Sequence, residues 1–224
     1  MTYSASLEPN DKDKLRIFIV RHGQTDHNLQ KILQGHTDIA LNATGHKQAE
    51  LLGESLRHHS WDAILTSDLT RCQETLKEIT DLNVGGCPNV EVTSNLRERM
   101  MGPVEGMKIS DAMAKYGENF KDLGESRKEL IARLTKQWHS FVDHCQQSQF
   151  KNVLICTHGG VIKTLLAWME QEAEFEMLQE PIIPFNTSVT VVEISRDGEE
   201  KKVCVIGSTR HLGHDNLKAD QQAL

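Results

Sequence analysis

Residues 18–28 read Phe18-Ile-Val-Arg-His-Gly-Gln-Thr-Asp-His-Asn28. The run from Arg16 to Val20 has the length and apolar content of a buried strand, and it ends by delivering Arg21, His22 and Gly23 to one spot. Mostly parallel sheets bind ligands at the carboxyl ends of their strands, so a guanidinium and an imidazole placed there form a candidate anion site. The segment KNVLICTHGG, residues 151–160, repeats the pattern: an apolar strand that stops at His158, followed by Gly159 and Gly160. Two such strand ends can bring both imidazoles to one crevice. A third strand, WDAILTS at 61–67, leads into Asp68-Leu-Thr-Arg71. Ser67 reads as the N-cap of a helix from Asp68 to about Thr80, with Arg71 in its first turn, where the helix dipole also favours an anion.

Between these strands the apolar spacing becomes helical. Asn42 is the expected N-cap of a helix from Ala43 to His58 with Ala49, Leu52 and Leu56 on one face. Leu130, Leu134, Trp138, Phe141, Val142 and Cys145 recur at the spacing of one long amphipathic helix over 126–147. A helix from Val161 to Glu170 follows His158, and a short strand lies around Val90 to Thr93. Val189–Ile194 and Val203–Ile206 flank Asp197-Gly198, which reads as a hairpin and hence an antiparallel edge. The alternation predicts an α/β fold: a three-layer αβα sandwich with a mostly parallel central sheet and an antiparallel C-terminal hairpin. One domain is expected over 15–210, after a polar lead-in at 1–14 and before a tail at 211–224.

The chain has 224 residues, 25 Lys+Arg against 32 Asp+Glu, a formal charge of -7 and 5% aromatic residues. That balance does not provide the basic surface nucleic acids require, so any phosphate is expected in a local pocket. No apolar run approaches the roughly 20 residues of a membrane helix, and a cytoplasmic protein without a membrane partner is expected. Five cysteines without a CxxC pair read as reduced, mostly core thiols, and no metal or other cofactor is expected. His58-His59 ends a helix and reads as surface. His211-Leu-Gly-His214 lacks the cysteine or carboxylate cluster of a metal site; a second reading has His211 close over the pocket. Oligomeric state is not encoded in any readable pattern.

Four motifs follow one another: RHGQTxxN at 21–28, SDLxR at 67–71, LRERMMGPVEG at 96–106 and THGG at 157–160. In order and spacing this set resembles the histidine phosphatase superfamily, with its phosphoglycerate mutase-like fold, over about residues 15–207. Within it the chain looks more like the small-molecule phosphatases, including TIGAR-type sugar bisphosphatases and small fungal broad-specificity phosphatases, than like the mutases. The resemblance implies a metal-independent phosphomonoesterase acting on small phosphorylated metabolites, sugar phosphates or bisphosphates first. His22 matches the nucleophile that forms a phosphohistidine, and Glu98 the proton donor. Arg21, Arg71, His158 and Asn28 match the phosphoryl-binding groups. Further substrate contacts are expected from Gln34 and Gly35 and from Gly159, with the outer wall built by Met100–Gly106 and Met107–Leu123.

The chemistry sets its own conditions. An imidazole attacks phosphorus only through an unprotonated nitrogen, which requires the other nitrogen to donate to a fixed acceptor; a backbone carbonyl near Gly23 is expected there. Cations must spread the charge on the equatorial oxygens, and the departing alkoxide needs a proton from a carboxylic acid. Glu105 competes with Glu98 for that last part. Asn28 competes with itself, since it can also cap its own loop. Gly124-Glu-Ser126 reads as the start of the long helix, with a hint of a substrate-side contact. Asn186-Thr-Ser188 precedes a strand close to the crevice that the resemblance implies, with turn chemistry alone as its other reading. The alternatives are a phosphoglycerate mutase and a non-catalytic phospholigand sensor.

Overall fold

The computed structural model describes residues 14–179 and 184–213. Most of the expected lead-in and tail, His214 included, lies outside the described residues. Among the described residues seven strands form one sheet: β1 (Lys14–Arg21), β2 (Ala63–Ser67), β3 (Val90–Thr93), β4 (Asn152–Thr157), β5 (Glu176–Met177), β6 (Val189–Ser195) and β7 (Lys201–Ser208). Their order is β3-β2-β4-β1-β6-β7-β5. β3, β2, β4 and β1 pair in parallel, β5 pairs in parallel with β7, and β6 runs against both of its neighbours. The mostly parallel sheet and the β6–β7 hairpin are therefore as expected. The hairpin is not an edge, however: β6 pairs along its length with β1, and β5 covers part of β7. Its residues Val189 to Val192 are all buried, as suits a strand inside the sheet.

Among the described residues six α-helices accompany these strands: α1 (Asp26–Leu29), α2 (Ala43–Leu56), α3 (Thr70–Asp81), α4 (Ile109–Tyr116), α5 (Arg127–Gln147) and α6 (Gly159–Gln171). Alternation along β1 sends Ile17 and Ile19 to one face, where they meet Leu134, Trp138 and Phe141 of α5 and Leu165 of α6. Phe18 and Val20 go to the other face, against Leu52 and Leu56 of α2 and Leu76 and Ile79 of α3. A strand with a core on each side must be apolar throughout, which is why the run before His22 does not alternate.

Asn42 caps α2 as expected, accepting from Gly45 N, and Ser126 with Glu129 closes a capping box on α5. α3 departs from expectation. It begins at Thr70 with Leu69 as its N-cap residue and no capping side chain of its own. Asp38, from the loop before α2, accepts from Thr70 N at 2.7 Å and Thr70 Oγ1 at 2.8 Å, so the helix start is satisfied from a distant segment, while Ser67 Oγ accepts there only from Leu69 N, at 3.4 Å. His58 is exposed, but His59 is not a plain surface residue: its ring stacks on Trp61 at 5.4 Å and meets the edge of Phe18. Cys72, Cys145 and Cys156 are buried, Cys204 is partly buried and Cys87 is exposed, all as free thiols.

A third, small cluster of Leu33, Val104, Ala112 and Phe120, with Met101, Met107 and Ile109 packed against it, joins the loop after α1 to residues 101–120. Backbone bonds between Leu33 and Met107, Gly106 and Leu33, and Ile109 and Lys31 stitch the two segments into one flap. Leu154, in the middle of β4, is fully buried. Leu154→Ala should lower the unfolding free energy by about 2–5 kcal/mol, the usual cost of a cavity at such a site, as read from denaturant unfolding. A loss under about 1 kcal/mol would contradict this packing.

Candidate active site

In the parallel register of β1 with β4, Arg21 lies opposite Thr157, so the next residue on each strand is a histidine. His22 N donates to Thr157 O at 2.9 Å, and the two imidazoles meet edge to face with centroids 5.2 Å apart. Both are buried. His22 Nδ1 lies 2.7 Å from Gly23 O. A carbonyl only accepts, so Nδ1 carries the proton and Nε2 keeps the lone pair. Gly23 is fixed in turn, its N–H donating to Thr75 Oγ1.

Burial holds the His22 imidazole well below its ordinary value of 6.5, and the charges of Arg71 and Arg21 push the same way, against the Gly23 hydrogen bond. His158 is also lowered, by burial first and then by Arg71, His22 and Arg21. Arg71 is buried and donates from Nε to His158 Nδ1 at 3.2 Å, and from its terminal nitrogens to Thr37 O at 2.8 Å and Gly35 O at 2.9 Å. His158 Nδ1 is then the acceptor, and Nε2 donates to Ser67 Oγ at 2.9 Å. The Ser67 hydroxyl thus orients an imidazole and does not cap a helix. Arg21 donates to Pro184 O at 2.7 Å.

The two competing carboxylates have different surroundings. Glu105 is used up inside the flap, accepting from His36 N, Met101 N and Thr37 Oγ1. A Cβ on Gly35, whose φ is +50°, would lie 2.1 Å from Glu105 Oε1, so the glycine lets the carboxylate reach these donors. Glu98 points instead to the start of α6, beside His158: Oε2 accepts from Gly160 N at 2.9 Å and Oε1 from Arg99 N at 2.8 Å.

The structure thus gathers Arg21, His22, Arg71, His158 and Glu98 at the carboxyl end of the sheet. Gly35 joins them through its carbonyl on Arg71, and Gly159 opens α6. Gln34 is buried with Oε1 unpaired. Asn28 is used locally as well: its Oδ1 accepts from Thr25 N, and Asn186 Nδ2 approaches it at 3.3 Å. Three further residues support the site: Asn186, expected near the crevice or as turn chemistry, and Arg133 and Thr75, which the sequence did not single out. Asn186 donates to His22 O at 2.9 Å. Arg133 donates to Glu98 O at 3.0 Å while held by a two-point ion pair with Glu125, so the Gly124-Glu-Ser126 segment serves the backbone of Glu98 as well as the helix start. Thr75 holds Gly23. Arg133 and Thr75 sit within ordinary helical patterns, and no local signal marks them. The described residues contain no group of three His, Cys, Asp or Glu placed to hold a metal, and no helix among them is long and apolar enough to cross a membrane.

Fold and cluster together define a class: an α/β protein whose parallel sheet gathers histidines and arginines at its carboxyl edge. Residues 17–206 match the histidine phosphatase superfamily (branch 1), and the chain belongs to it. A broad-specificity phosphatase of Saccharomyces cerevisiae is 41% identical over 214 residues, covering 91% of this chain and 90% of the relative. A probable phosphatase of Schizosaccharomyces pombe is 37% identical over 205 residues, covering 88% and 95%. The crystal structure of a phosphoglycerate mutase from Bacillus anthracis superimposes with a TM-score of 0.74 at 21% identity, over 90% of this chain and 97% of that one. The fold is phosphoglycerate mutase-like, and the protein is a phosphatase.

His22 and His158 are neutral in the fold at neutral pH, whereas in the unfolded chain they protonate near pH 6.5. Below that value the unfolded chain binds more protons, and stability falls as pH falls toward the folded values. The melting temperature should therefore drop between pH 7 and 5, and His22→Asn should show the shallower drop. Parallel curves for variant and wild type would contradict a neutral buried His22.

Proposed function

We propose that the protein hydrolyses small phosphomonoesters, sugar phosphates or bisphosphates foremost, through a phosphohistidine on His22 and without a metal. The observation that carries this reading is the directed tautomer: Nδ1 tied to Gly23 O, Nε2 bearing the lone pair, beside two guanidiniums. Nε2 attacks phosphorus in line as the ester P–O bond breaks, and the leaving alkoxide takes a proton from Glu98. Water then attacks the phosphohistidine, Glu98 takes its proton, the P–N bond breaks and inorganic phosphate leaves.

Arg21 and Arg71 stabilise the equatorial oxygens through their guanidinium charge. Three of the five N–H groups of Arg71 are already committed to His158, Thr37 and Gly35, so the arginine is held rigid before substrate arrives. The start of α6, with Gly159 and Gly160, adds its dipole. Asn28 and Gln34 supply polar contacts. The names of the two fungal relatives favour a phosphatase over a mutase, and that of the Saccharomyces cerevisiae relative favours a broad-specificity enzyme over a narrow one. Met101 and Met107 belong to the flap cluster, which leaves the exposed Met100 as the adaptable part of the wall.

The test is phosphate release from sugar phosphates, bisphosphates and phosphoglycerates in EDTA. Wild type should release phosphate and His22→Ala should not. Glu98→Gln should lose about 10²- to 10⁴-fold on alkyl phosphates and much less on 4-nitrophenyl phosphate, whose leaving group needs no proton. Isomerisation of phosphoglycerate without release would point to a mutase, and release by His22→Ala would overturn the mechanism.

A further inference from the structure

The C-terminal end of the described chain reaches the site by a route the reaction scheme does not use. After β7 a short 3-10 turn, Arg210–Leu212, lies beyond the residues matched to the superfamily and buries Leu212. His211 in this turn lies with Nε2 3.0 Å from Thr187 Oγ1. Thr187 is buried and has a φ of 57°, a left-handed conformation that is an outlier for a β-branched residue. Such a conformation persists only where its surroundings hold it.

What this turn does is visible in its other bonds. Thr187 N donates to Arg21 O at 3.0 Å and approaches His22 O at 3.3 Å, and Asn186 Nδ2 donates to His22 O at 2.9 Å. Ser188 O accepts from Arg21 N, and Pro184 O accepts from the Arg21 guanidinium. Residues 184–188 therefore wrap the backbone of both functional residues at the end of β1. The Thr187 hydroxyl donates to Asn186 O at 2.8 Å, so its remaining capacity is as an acceptor, and His211 Nε2 is the donor.

We infer that His211 is a positioning residue of the phosphatase site: through Thr187 it holds the strained turn that fixes the carbonyls of Arg21 and His22. Burial supports the neutral donor state by lowering His211 to about 4. Loss of that donor lets Thr187 relax to an extended conformation, which withdraws its N–H from both carbonyls. In-line attack is sensitive to small displacements, so the consequence is in turnover more than in substrate binding. The inference rests on His22 as nucleophile.

The experiment compares His211→Leu, His211→Gln and His211→Asn with 4-nitrophenyl phosphate as probe. Glutamine places an amide N–H near the position of Nε2, whereas asparagine falls a methylene short. His211→Leu and His211→Asn should lose about 10- to 100-fold in kcat with little change in KM, and His211→Gln should recover most of it. Glycine adopts the left-handed conformation without penalty, so in a Thr187→Gly background His211→Leu should cost no more than about twofold. Unaltered kcat in His211→Leu, equal losses in all three variants, or the same factor lost in the Thr187→Gly background would overturn the inference. The ring nitrogen NMR signals of His22 should also shift in His211→Leu and not in His211→Gln. That readout needs no turnover: unshifted signals count against His211 as a positioning residue, while wild type that releases no phosphate counts against the functional reading alone.

Discussion

The whole site depends on one register. β1 and β4 are neighbours in a parallel sheet, Arg21 is paired with Thr157, and the His22 N–H closes onto the Thr157 carbonyl. A slip of one residue would turn the side chains of one strand to the opposite face and separate the two imidazoles. The register is held by apolar packing on both faces of β1, since Ile17 and Ile19 belong to one core and Phe18 and Val20 to the other. Core packing and chemistry are thus the same constraint read at two ends of a strand.

Around that fixed pair the fold spends its buried polar bonds on restricting freedom. Gly23 O sets the tautomer of His22, and Arg71 and Ser67 set that of His158. Arg71 also anchors the flap through Gly35 and Thr37, so the cation beside the histidines and the wall above them move together. Glu105 closes the flap from within, which separates its role from that of Glu98 at the start of α6. Polar groups inside a protein are costly unless paired, and here the pairing leaves the His22 Nε2 lone pair as the reactive feature.

Much of this was legible in the sequence, and the parts that were not share a cause. The unbroken apolar runs at 17–20 and 153–156, each with a histidine two residues past its end, marked the parallel strands and the site at once, because a doubly buried strand does not alternate. The carbonyl near Gly23 followed from the needs of the nucleophile. Ser67 misled because a serine ahead of a helix usually caps it, and nothing local shows that Asp38, some thirty residues earlier, takes that place. The hairpin was readable as a pairing but not as an interior pair, since the two-residue β5 is too short to announce itself and the β1–β6 pairing is non-local. Asn186-Thr-Ser188 was legible as a turn segment near the crevice, but its bonds to the Arg21 and His22 carbonyls, like that of Arg133 to Glu98 O, join distant backbone and leave no trace in spacing.

The central claim is that His22 attacks through Nε2 because Nδ1 is committed to Gly23 O. The most direct measurement is to mix enzyme and a fast phosphomonoester, quench in alkali, where phosphohistidine survives, and locate the phosphoryl group by mass spectrometry and phosphorus NMR. The account predicts a transient phosphoenzyme on His22 with phosphorus bonded to Nε2. Phosphate on Nδ1 or on another residue, or turnover with no phosphoenzyme at any time, would contradict it.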